Sequence, residues 1–272
     1  MKRILFLLFL PLNLLAIDPD RNYDLTPDSI DWEYEELVIT TEDGYDLNTW
    51  IYAPNPDIQK DKLLILAYPD AGNMSYFVLQ ASILANLGYT VVTFDYRGFG
   101  KSSDFKIEPN NLFHTEFSKD LEAVVDFAKG RFQNKSLGIW ACSMGTMVTT
   151  YAYDVIKDKI NFLIFDAVVF NPREHIERLK SQKNKQTFSP VNTEEFVLKW
   201  KSIVIPVLLF AGKDDEVTTV EDANAYQDEF DVKPTIKIYD GGHLMGFQHD
   251  IRNSGFGGWY SSQIDLFIKE IR

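Results

Sequence analysis

The sequence has few of the residues that carry redox or metal chemistry. Of its 272 residues, one is a cysteine (Cys142) and four are histidines. A single thiol cannot form an intramolecular disulfide, and it excludes zinc or iron–sulfur sites built on several cysteines. Basic residues are also outnumbered, with 27 Lys and Arg against 40 Asp and Glu, so the formal net charge is −13. This acidity argues against a general nucleic-acid binder, because such proteins present a basic surface to phosphate.

The amino terminus has the layout of a secretory signal peptide. Lys2 and Arg3 precede an apolar run, Ile4–Leu12, that is interrupted only by Pro11. The run is too short to span a bilayer comfortably, so residues 1–16 are interpreted as a signal peptide cleaved near Ala16. We therefore expect an exported protein, periplasmic or secreted. The alternative is an uncleaved anchor, in which case this segment would be the protein's membrane contact.

The rest of the chain is typical of a single globular domain. Apolar residues make up 45% and charged residues 25% of the sequence, which are ordinary values for a folded domain. We expect an acidic leader over residues 17–35 that lies on the surface, followed by one domain over residues 36–272. The predicted strands are Leu37–Thr41, Asp46–Ala53, Leu63–Tyr68, Thr90–Asp95, Leu137–Ala141, Phe162–Val169, Val204–Ala211 and Thr235–Tyr239. The predicted helices are Ser75–Leu87, Glu116–Lys129, Met144–Ile156, Val220–Phe230 and Trp259–Ile271.

The alternation of strands and helices predicts an α/β fold with a mostly parallel central sheet covered by helices on both faces. Asp43-Gly44 is a hairpin turn signal, so the first two strands should pair antiparallel at one edge. Gly130 is expected to end its helix. Residues 171–203 interrupt the alternation and are interpreted as a short cap insertion with two short helices. This cap should lie at the carboxyl ends of the strands, where open α/β sheets bind ligands.

A candidate nucleophile lies where a predicted strand turns into a helix. The segment reads Ala141-Cys142-Ser143-Met144-Gly145, a variant of Gly-x-Ser-x-Gly with alanine in the first position. A serine on this sharp turn lifts its hydroxyl above the sheet edge, and small residues two positions away make room for the turn. The helix amino terminus can hold an oxyanion, and the Met144 N–H is the natural donor. Cys142 should point into the core as a small apolar residue rather than act as nucleophile.

A serine nucleophile needs a base, and that base needs an orienting carboxylate. His243 follows the last strand on a Gly241-Gly242 loop and is the favoured base. His249 is the alternative, and exposed polar positions are expected for the two remaining histidines, His114 and His175.

The loop after the strand ending at Ala211 offers three carboxylates. Asp215 is the favoured acid, Asp214 the alternative and Glu216 less favoured, while Asp166 is a second possible position. The order Ser143…Asp215…His243 is that of the α/β-hydrolase nucleophile, acid and base.

With these residues in view, the chain resembles the α/β-hydrolase superfamily over about residues 36–272. It is most similar to small serine hydrolases whose second oxyanion loop reads His-Gly-Asn-Ala-Gly-Asn. The corresponding stretch here is Tyr68-Pro69-Asp70-Ala71-Gly72-Asn73, and the segment Asp95-Tyr96-Arg97-Gly98-Phe99-Gly100-Lys101-Ser102 is similar to the family's Tyr-Arg-Gly-x-Gly-x-Ser. The favoured interpretation of this second segment is a turn that shapes the site entrance.

The resemblance implies that Ser143 is the nucleophile, Asp215 the acid and His243 the base. It also implies an oxyanion hole formed by the backbone N–H groups of Met144 and Asp70. Tyr68-Pro69 replaces the family's His-Gly, and the Asp70 carboxylate would oppose a developing oxyanion unless it points away.

These residues predict an exported serine hydrolase that cleaves carboxylic esters or related acyl bonds through an acyl-enzyme, with a small-molecule acyl substrate and no metal or organic cofactor. The alternatives are a peptidase, thioesterase or acyltransferase on the same triad, or a non-catalytic binding protein with the same fold. The cap is the one basic stretch of the chain, and its cations could attract an anionic substrate or a lipid surface, although a solvated helical face is favoured. Its charged residues are Arg173, Arg178, Lys180, Lys183, Lys185, Lys199 and Lys201 against Glu174, Glu177, Glu194 and Glu195.

Overall fold

A computed structural model describes residues 15–229 and 232–271 of the protein, without the side chains of residues 228 and 229. The signal-peptide prediction thus falls almost entirely outside the described residues, as does Phe230. The strands are β1 (Asp18–Pro19), β2 (Tyr34–Thr40), β3 (Asp46–Tyr52), β4 (Lys62–Ala67), β5 (Ala71–Gly72), β6 (Thr90–Phe94), β7 (Ser136–Cys142), β8 (Phe162–Asp166), β9 (Val207–Gly212) and β10 (Thr235–Tyr239). The α-helices are α1 (Val78–Asn86), α2 (Glu116–Arg131), α3 (Met144–Ile156), α4 (Pro172–Lys183), α5 (Thr193–Trp200), α6 (Val220–Glu229), α7 (Ile251–Ser254) and α8 (Gly258–Glu270).

Eight strands form the central sheet in the order β10-β9-β8-β7-β4-β6-β3-β2. The strands from β10 to β6 are parallel, whereas β3 pairs antiparallel with both β6 and β2. The side chains of the central strands are buried on both faces, as expected where helices cover both sides of a parallel sheet. The predicted fold class and the antiparallel hairpin at one edge are confirmed.

Several predicted boundaries shift for local reasons. The strand predicted from Val204 begins at Val207, because Val204 is 66% exposed and Pro206 has no N–H for the sheet. The strand predicted to reach Val169 ends at Asp166, where Ala167 takes a φ of 59°.

Two helix predictions also change. Gly130 does not end its helix, which continues to Arg131. The helix predicted from Ser75 starts as a 3₁₀ turn over Met74–Phe77 and becomes α-helical at Val78. The Asn73 side chain accepts a hydrogen bond from the Ser75 N–H at 2.9 Å and caps this turn.

The cap and the leader both lie against the carboxyl-end rim of the sheet. The cap contains α4 and α5, and each is preceded by an asparagine, Asn171 or Asn192, whose side chain accepts backbone N–H groups of the first turn. In the leader, β1 pairs in parallel with β5, which lies in the loop after β4. Ala16 and Ile17 are buried there and donate their N–H groups to the Pro109 carbonyl. Among the helices of the described ranges, none combines the length and apolarity required to cross a bilayer.

Candidate active site

Ser143 occupies a strained turn between β7 and α3. Its φ is 49° and its ψ is −115°, a conformation that non-glycine residues rarely adopt and that is often found at functional sites. Gly145 is required by the same turn, because a Cβ there would lie 1.9 Å from the Ala67 carbonyl oxygen. The crowding arises because α3 begins directly against the end of β4. The turn places the Ser143 hydroxyl at the carboxyl edge of the sheet, with the residue 5% exposed.

The side chains of Ser143, His243 and Asp215 form one hydrogen-bonded chain. His243 Nε2 lies 3.0 Å from Ser143 Oγ, and His243 Nδ1 lies 2.7 Å from Asp215 Oδ2. Because an ionised carboxylate only accepts hydrogen bonds, the ring proton belongs on Nδ1. The lone pair of Nε2 then faces the serine hydroxyl and can accept its proton.

Asp215 is held by its own loop as well as by the histidine. Its Oδ1 accepts the N–H groups of Val217 at 2.9 Å and Thr218 at 3.0 Å. Its Oδ2 accepts the Thr218 hydroxyl at 2.6 Å, and that hydroxyl also lies 3.1 Å from His243 Nδ1. Thr218 thus connects the carboxylate to the ring. This role of Thr218 was not predicted. Thr218 follows Asp215 by three residues, a spacing at which a side chain can close such a turn.

Burial and charge act in opposite directions on this pair. Burial raises the pKa of Asp215, but the charge and hydrogen bond of His243 and the donors of Thr218 outweigh it and hold that pKa well below its usual range. Burial lowers the pKa of His243, but the charge and hydrogen bond of Asp215 outweigh it, so the pKa is raised. Asp215 therefore remains ionised at neutral pH, and it favours the protonated form of His243.

The two predicted oxyanion donors lie on separate elements, Met144 on α3 and Asp70 in the loop after β4. Met144 is the first residue of α3, so its N–H has no acceptor within the helix. Asp70 follows β4 in the loop that contains β5, and its carbonyl accepts the Asp18 N–H at 3.0 Å. Burial raises the pKa of the Asp70 carboxyl, and the nearby charges of Lys185 and His243 lower it. The Asp70 carboxyl is therefore within electrostatic range of the proposed base.

The other histidines have separate roles in the structure. His249 Nδ1 accepts the Asp240 N–H at 3.1 Å, and the His249 ring packs edge-on against Trp259. The expectation that His114 and His175 are exposed is wrong, because both are buried. His114 Nε2 accepts the Glu108 N–H. His175 Nδ1 bonds to the Val217 carbonyl at 3.2 Å, and burial lowers its pKa to about 3, so it is neutral and ties the cap to the Asp215 loop.

The alternative acids do not reach the ring. Asp214 is exposed, and Glu216 is exposed with an ion pair at 3.8 Å to Lys183. Asp166 is buried at the end of β8, where its Oδ1 accepts the Tyr239 hydroxyl at 3.1 Å. Burial raises the pKa of Asp166 to about 7. The histidine therefore has Asp215 as its hydrogen-bonded carboxylate.

Cys142 is buried beneath the turn, and burial raises the pKa of its thiol. A buried thiol in such surroundings behaves as a small apolar side chain rather than a nucleophile. Within residues 15–229 and 232–271, no group of three or more His, Cys, Asp and Glu side chains could hold a metal ion.

The basic residues of the cap are largely paired. Carboxylates lie within 4.0 Å of four of the seven: Arg173 with Glu194, Arg178 with Asp222 and Glu174, Lys183 with Glu216, and Lys199 with Asp154. The Arg178–Asp222 contact is 2.7 Å long and connects the cap to α6. Pairing reduces the cationic field that the residue count suggests, and this agrees with a solvated helical face better than with an anion-attracting surface.

Comparison with known proteins places the chain in a family. Residues 63–189 match the model of the alpha/beta hydrolase fold. Uncharacterized protein YfhR of Escherichia coli O157:H7 is 32% identical over 98% of this chain and 94% of its own length. Uncharacterized membrane protein YNL320W of Saccharomyces cerevisiae is 25% identical over 72% of this chain and 68% of its own. The Pyrococcus furiosus esterase Pf2001 superposes with a TM-score of 0.72 over 94% of this chain and 97% of that one, at 21% identity. The chain belongs to the α/β-hydrolase superfamily.

Proposed function

We propose that the protein is a serine hydrolase that cleaves carboxylic esters or related acyl bonds. The observation that carries the proposal is the hydrogen-bonded chain from Ser143 Oγ through His243 to Asp215, with distances of 3.0 and 2.7 Å. A serine, a histidine and a carboxylate in this order and geometry are the parts required for acyl transfer.

In this mechanism His243 Nε2 takes the hydroxyl proton as Ser143 Oγ attacks the acyl carbon. The carbonyl oxygen becomes an oxyanion that accepts the N–H groups of Met144 and Asp70. His243 then donates the proton to the leaving alcohol, and the acyl-enzyme remains. A water molecule, deprotonated by His243, attacks the acyl carbon, and collapse of the second intermediate releases the acid and returns the proton to Ser143. Asp215 keeps the ring in the required tautomer and stabilises its cation throughout.

The fold does not select among acyl substrates, since one fold hosts many chemistries. The Pyrococcus protein is named an esterase, which supports esters as the first class to test. A peptidase, thioesterase or acyltransferase would use the same triad. A non-catalytic binding protein is the remaining alternative, motivated by the Tyr68-Pro69-Asp70 sequence of the second oxyanion loop.

A fluorophosphonate probe tests the serine directly. The wild-type protein should be labelled, and Ser143→Ala should abolish labelling. Equal labelling of both proteins would reject the nucleophile. A panel of p-nitrophenyl esters of increasing acyl length, with thioester and peptide substrates alongside, then identifies the bond. Folded protein without activity on any of them would favour the binding role.

We also propose that the protein is exported, on the basis of the charge and apolar pattern of residues 1–16. Sequencing of the mature amino terminus after expression in a bacterium tests this. A chain recovered outside the cytoplasm and starting near Ile17 supports cleavage at Ala16. Cytoplasmic protein that retains Met1 would contradict export.

A further inference from the structure

The acidic leader contacts the loop that carries the proposed second oxyanion donor. We name residues 16–25 the leader strap and residues 68–75 the oxyanion loop. Asp18–Pro19 of the strap pair in parallel with Ala71–Gly72 of the loop. The Asp18 N–H donates to the Asp70 carbonyl at 3.0 Å, and the Asp20 N–H donates to the Gly72 carbonyl at 2.8 Å. The strap thus adds a strand to the outer side of this loop.

Asn73 ties the strap to the loop with its side chain. Its Nδ2 donates to the carbonyls of Asp20 at 3.1 Å and Asn22 at 2.6 Å. Its Oδ1 accepts the Ser75 N–H at 2.9 Å and so caps the following 3₁₀ turn. Asn73 is fully buried, so each of these groups depends on its protein partner.

A cluster of hydrogen-bonded residues, which we name the hub, joins the two segments. It consists of Tyr23, Asn48, Tyr68, Met74 and Asp95. The Tyr23 hydroxyl donates a hydrogen bond to Asp95 Oδ2 and accepts one from Asn48 Nδ2 at 2.8 Å. The other carboxyl oxygen, Asp95 Oδ1, accepts the Met74 N–H at 2.8 Å and the Tyr68 hydroxyl at 3.4 Å. Tyr68 begins the oxyanion loop and Met74 lies near its end. One carboxylate thus connects the strap with both ends of the loop.

The segment after β6 is shaped around this hub. Gly100 has a φ of 44°, and a Cβ there would lie 1.8 Å from Asp95 Oδ2 and 2.7 Å from a Tyr23 ring carbon. The last glycine of the Gly98-Phe99-Gly100 sequence therefore leaves the room in which Tyr23 meets Asp95. The segment similar to Tyr-Arg-Gly-x-Gly-x-Ser is interpreted from sequence as a turn that shapes the site entrance. Gly100 gives it a further role, because it makes room for the contact between Tyr23 and Asp95.

The hub depends on Tyr23 because Asp95 is fully buried. Burial raises the pKa of Asp95 to about 6, although hydrogen bonds from Tyr23, Met74, the Lys101 N–H and Tyr68 lower it. A buried carboxylate that loses one of these donors becomes strongly unfavourable. Without the Tyr23 hydroxyl, the Asp95 side chain would have to shift toward another donor. The oxyanion loop, which is bonded to Asp95 Oδ1, would move with it.

We propose that Tyr23 is a positioning residue for hydrolysis, and that the leader strap holds the Asp70 N–H in place by bracing the oxyanion loop through Asp95. The inference rests on the proposed function and extends the active site to a segment outside the central sheet. It also implies that residues 18–25 must stay on the protein after any processing of the amino terminus.

The test compares Tyr23→Phe with Tyr34→Phe in the full chain. Both tyrosines pack edge-on against Trp50, with ring centroids 4.8 and 5.9 Å away. The Tyr34 hydroxyl, however, makes an exposed hydrogen bond at 3.2 Å to Asp28, which belongs neither to the leader strap nor to the oxyanion loop. Steady-state kinetics on p-nitrophenyl acetate and hydrogen exchange of the amides of residues 68–76, followed by mass spectrometry, give two independent readouts.

Loss of one oxyanion donor lowers kcat about 10²- to 10³-fold, and a displaced donor should cause part of that loss. We expect Tyr23→Phe to lower kcat by about tenfold or more while KM stays within about twofold. The Met74 and Ser75 amides should exchange faster in this variant alone. Tyr34→Phe should match the wild type in both readouts.

A Tyr23→Phe protein with wild-type kcat and wild-type exchange in residues 68–76 would overturn the proposal, as would an equal loss of kcat in Tyr34→Phe. If the wild-type enzyme hydrolyses none of the substrates, the proposed function fails and the exchange readout alone decides whether the strap braces the loop. If Tyr23→Phe does not fold, Asn73→Asp takes its place. That variant keeps the acceptor for Ser75 and removes both donors to the strap, so the same two expected changes apply.

Discussion

Replacement of Asp215 by asparagine tests whether this carboxylate selects the histidine tautomer. The asparagine side chain has one oxygen where the carboxylate has two. If that oxygen stays at the Oδ1 position, it still accepts the N–H groups of Val217 and Thr218, which lie 2.9 and 3.0 Å from Oδ1 in the wild type. The NH₂ group then faces His243 Nδ1, which must become an acceptor. The proton moves to Nε2, and Nε2 can no longer take the proton of Ser143.

The flipped amide is disfavoured by the same geometry. Its NH₂ group would face two backbone N–H donors, which loses two hydrogen bonds of about 1 kcal/mol each and leaves buried donors unpaired. The inactive tautomer should therefore dominate. We expect kcat to fall about 10⁴-fold, equivalent to about 5.5 kcal/mol of transition-state stabilisation at about 1.36 kcal/mol per decade.

The assay is steady-state hydrolysis of p-nitrophenyl acetate by purified Asp215→Asn, with circular dichroism to verify folding. Asp214→Asn is the matched control, because its side chain is exposed on the same loop, and it should stay within about twofold of the wild type. A folded Asp215→Asn enzyme that keeps more than about a tenth of the wild-type kcat would refute the tautomer argument. A large loss in Asp214→Asn instead would move the acid to the neighbouring position.

Four further predictions concern the candidate site. The charge and hydrogen bond of Asp215 raise the pKa of His243, and a general base acts only when neutral, so kcat/KM should fall on acidification with an inflection above the ordinary pKa of a histidine. Asp70→Asn removes a charge that raises this pKa, so the inflection should move to lower pH, and an unchanged profile would contradict their coupling. Gly145→Ala places a Cβ 1.9 Å from the Ala67 carbonyl oxygen; urea titration should show a loss of about 1–3 kcal/mol or more in the free energy of unfolding. Cys142→Ala should retain fluorophosphonate labelling, because its thiol is buried; lost labelling in a folded protein would return Cys142 to consideration as nucleophile.

Much of the site could be predicted because its signals are local. Small residues two positions before and after Ser143 mark the turn, and the placement of Asp215 and His243 after predicted strands brings them to one sheet edge. Strand ends were less predictable, since Pro206 and the positive φ of Ala167 shorten strands whose apolar runs continue beyond them. The histidine environments could not be predicted at all. His114 and His175 each have one apolar and one polar neighbour in sequence, a pattern that does not indicate burial, and packing between distant segments buries them.

The sequence by itself determined the fold class, the chain order of the proposed nucleophile, acid and base, and the turn that presents Ser143. Each of these depends on residue periodicity or on steric demands within a few positions of the chain. Tertiary structure decided which side chains from distant segments contact one another. Tyr23 and Asp95 are 72 positions apart, and neither has a neighbour that signals the other. Their contact exists because the leader folds back over the carboxyl edge of the sheet, and because a buried carboxylate must find its donors wherever the fold supplies them.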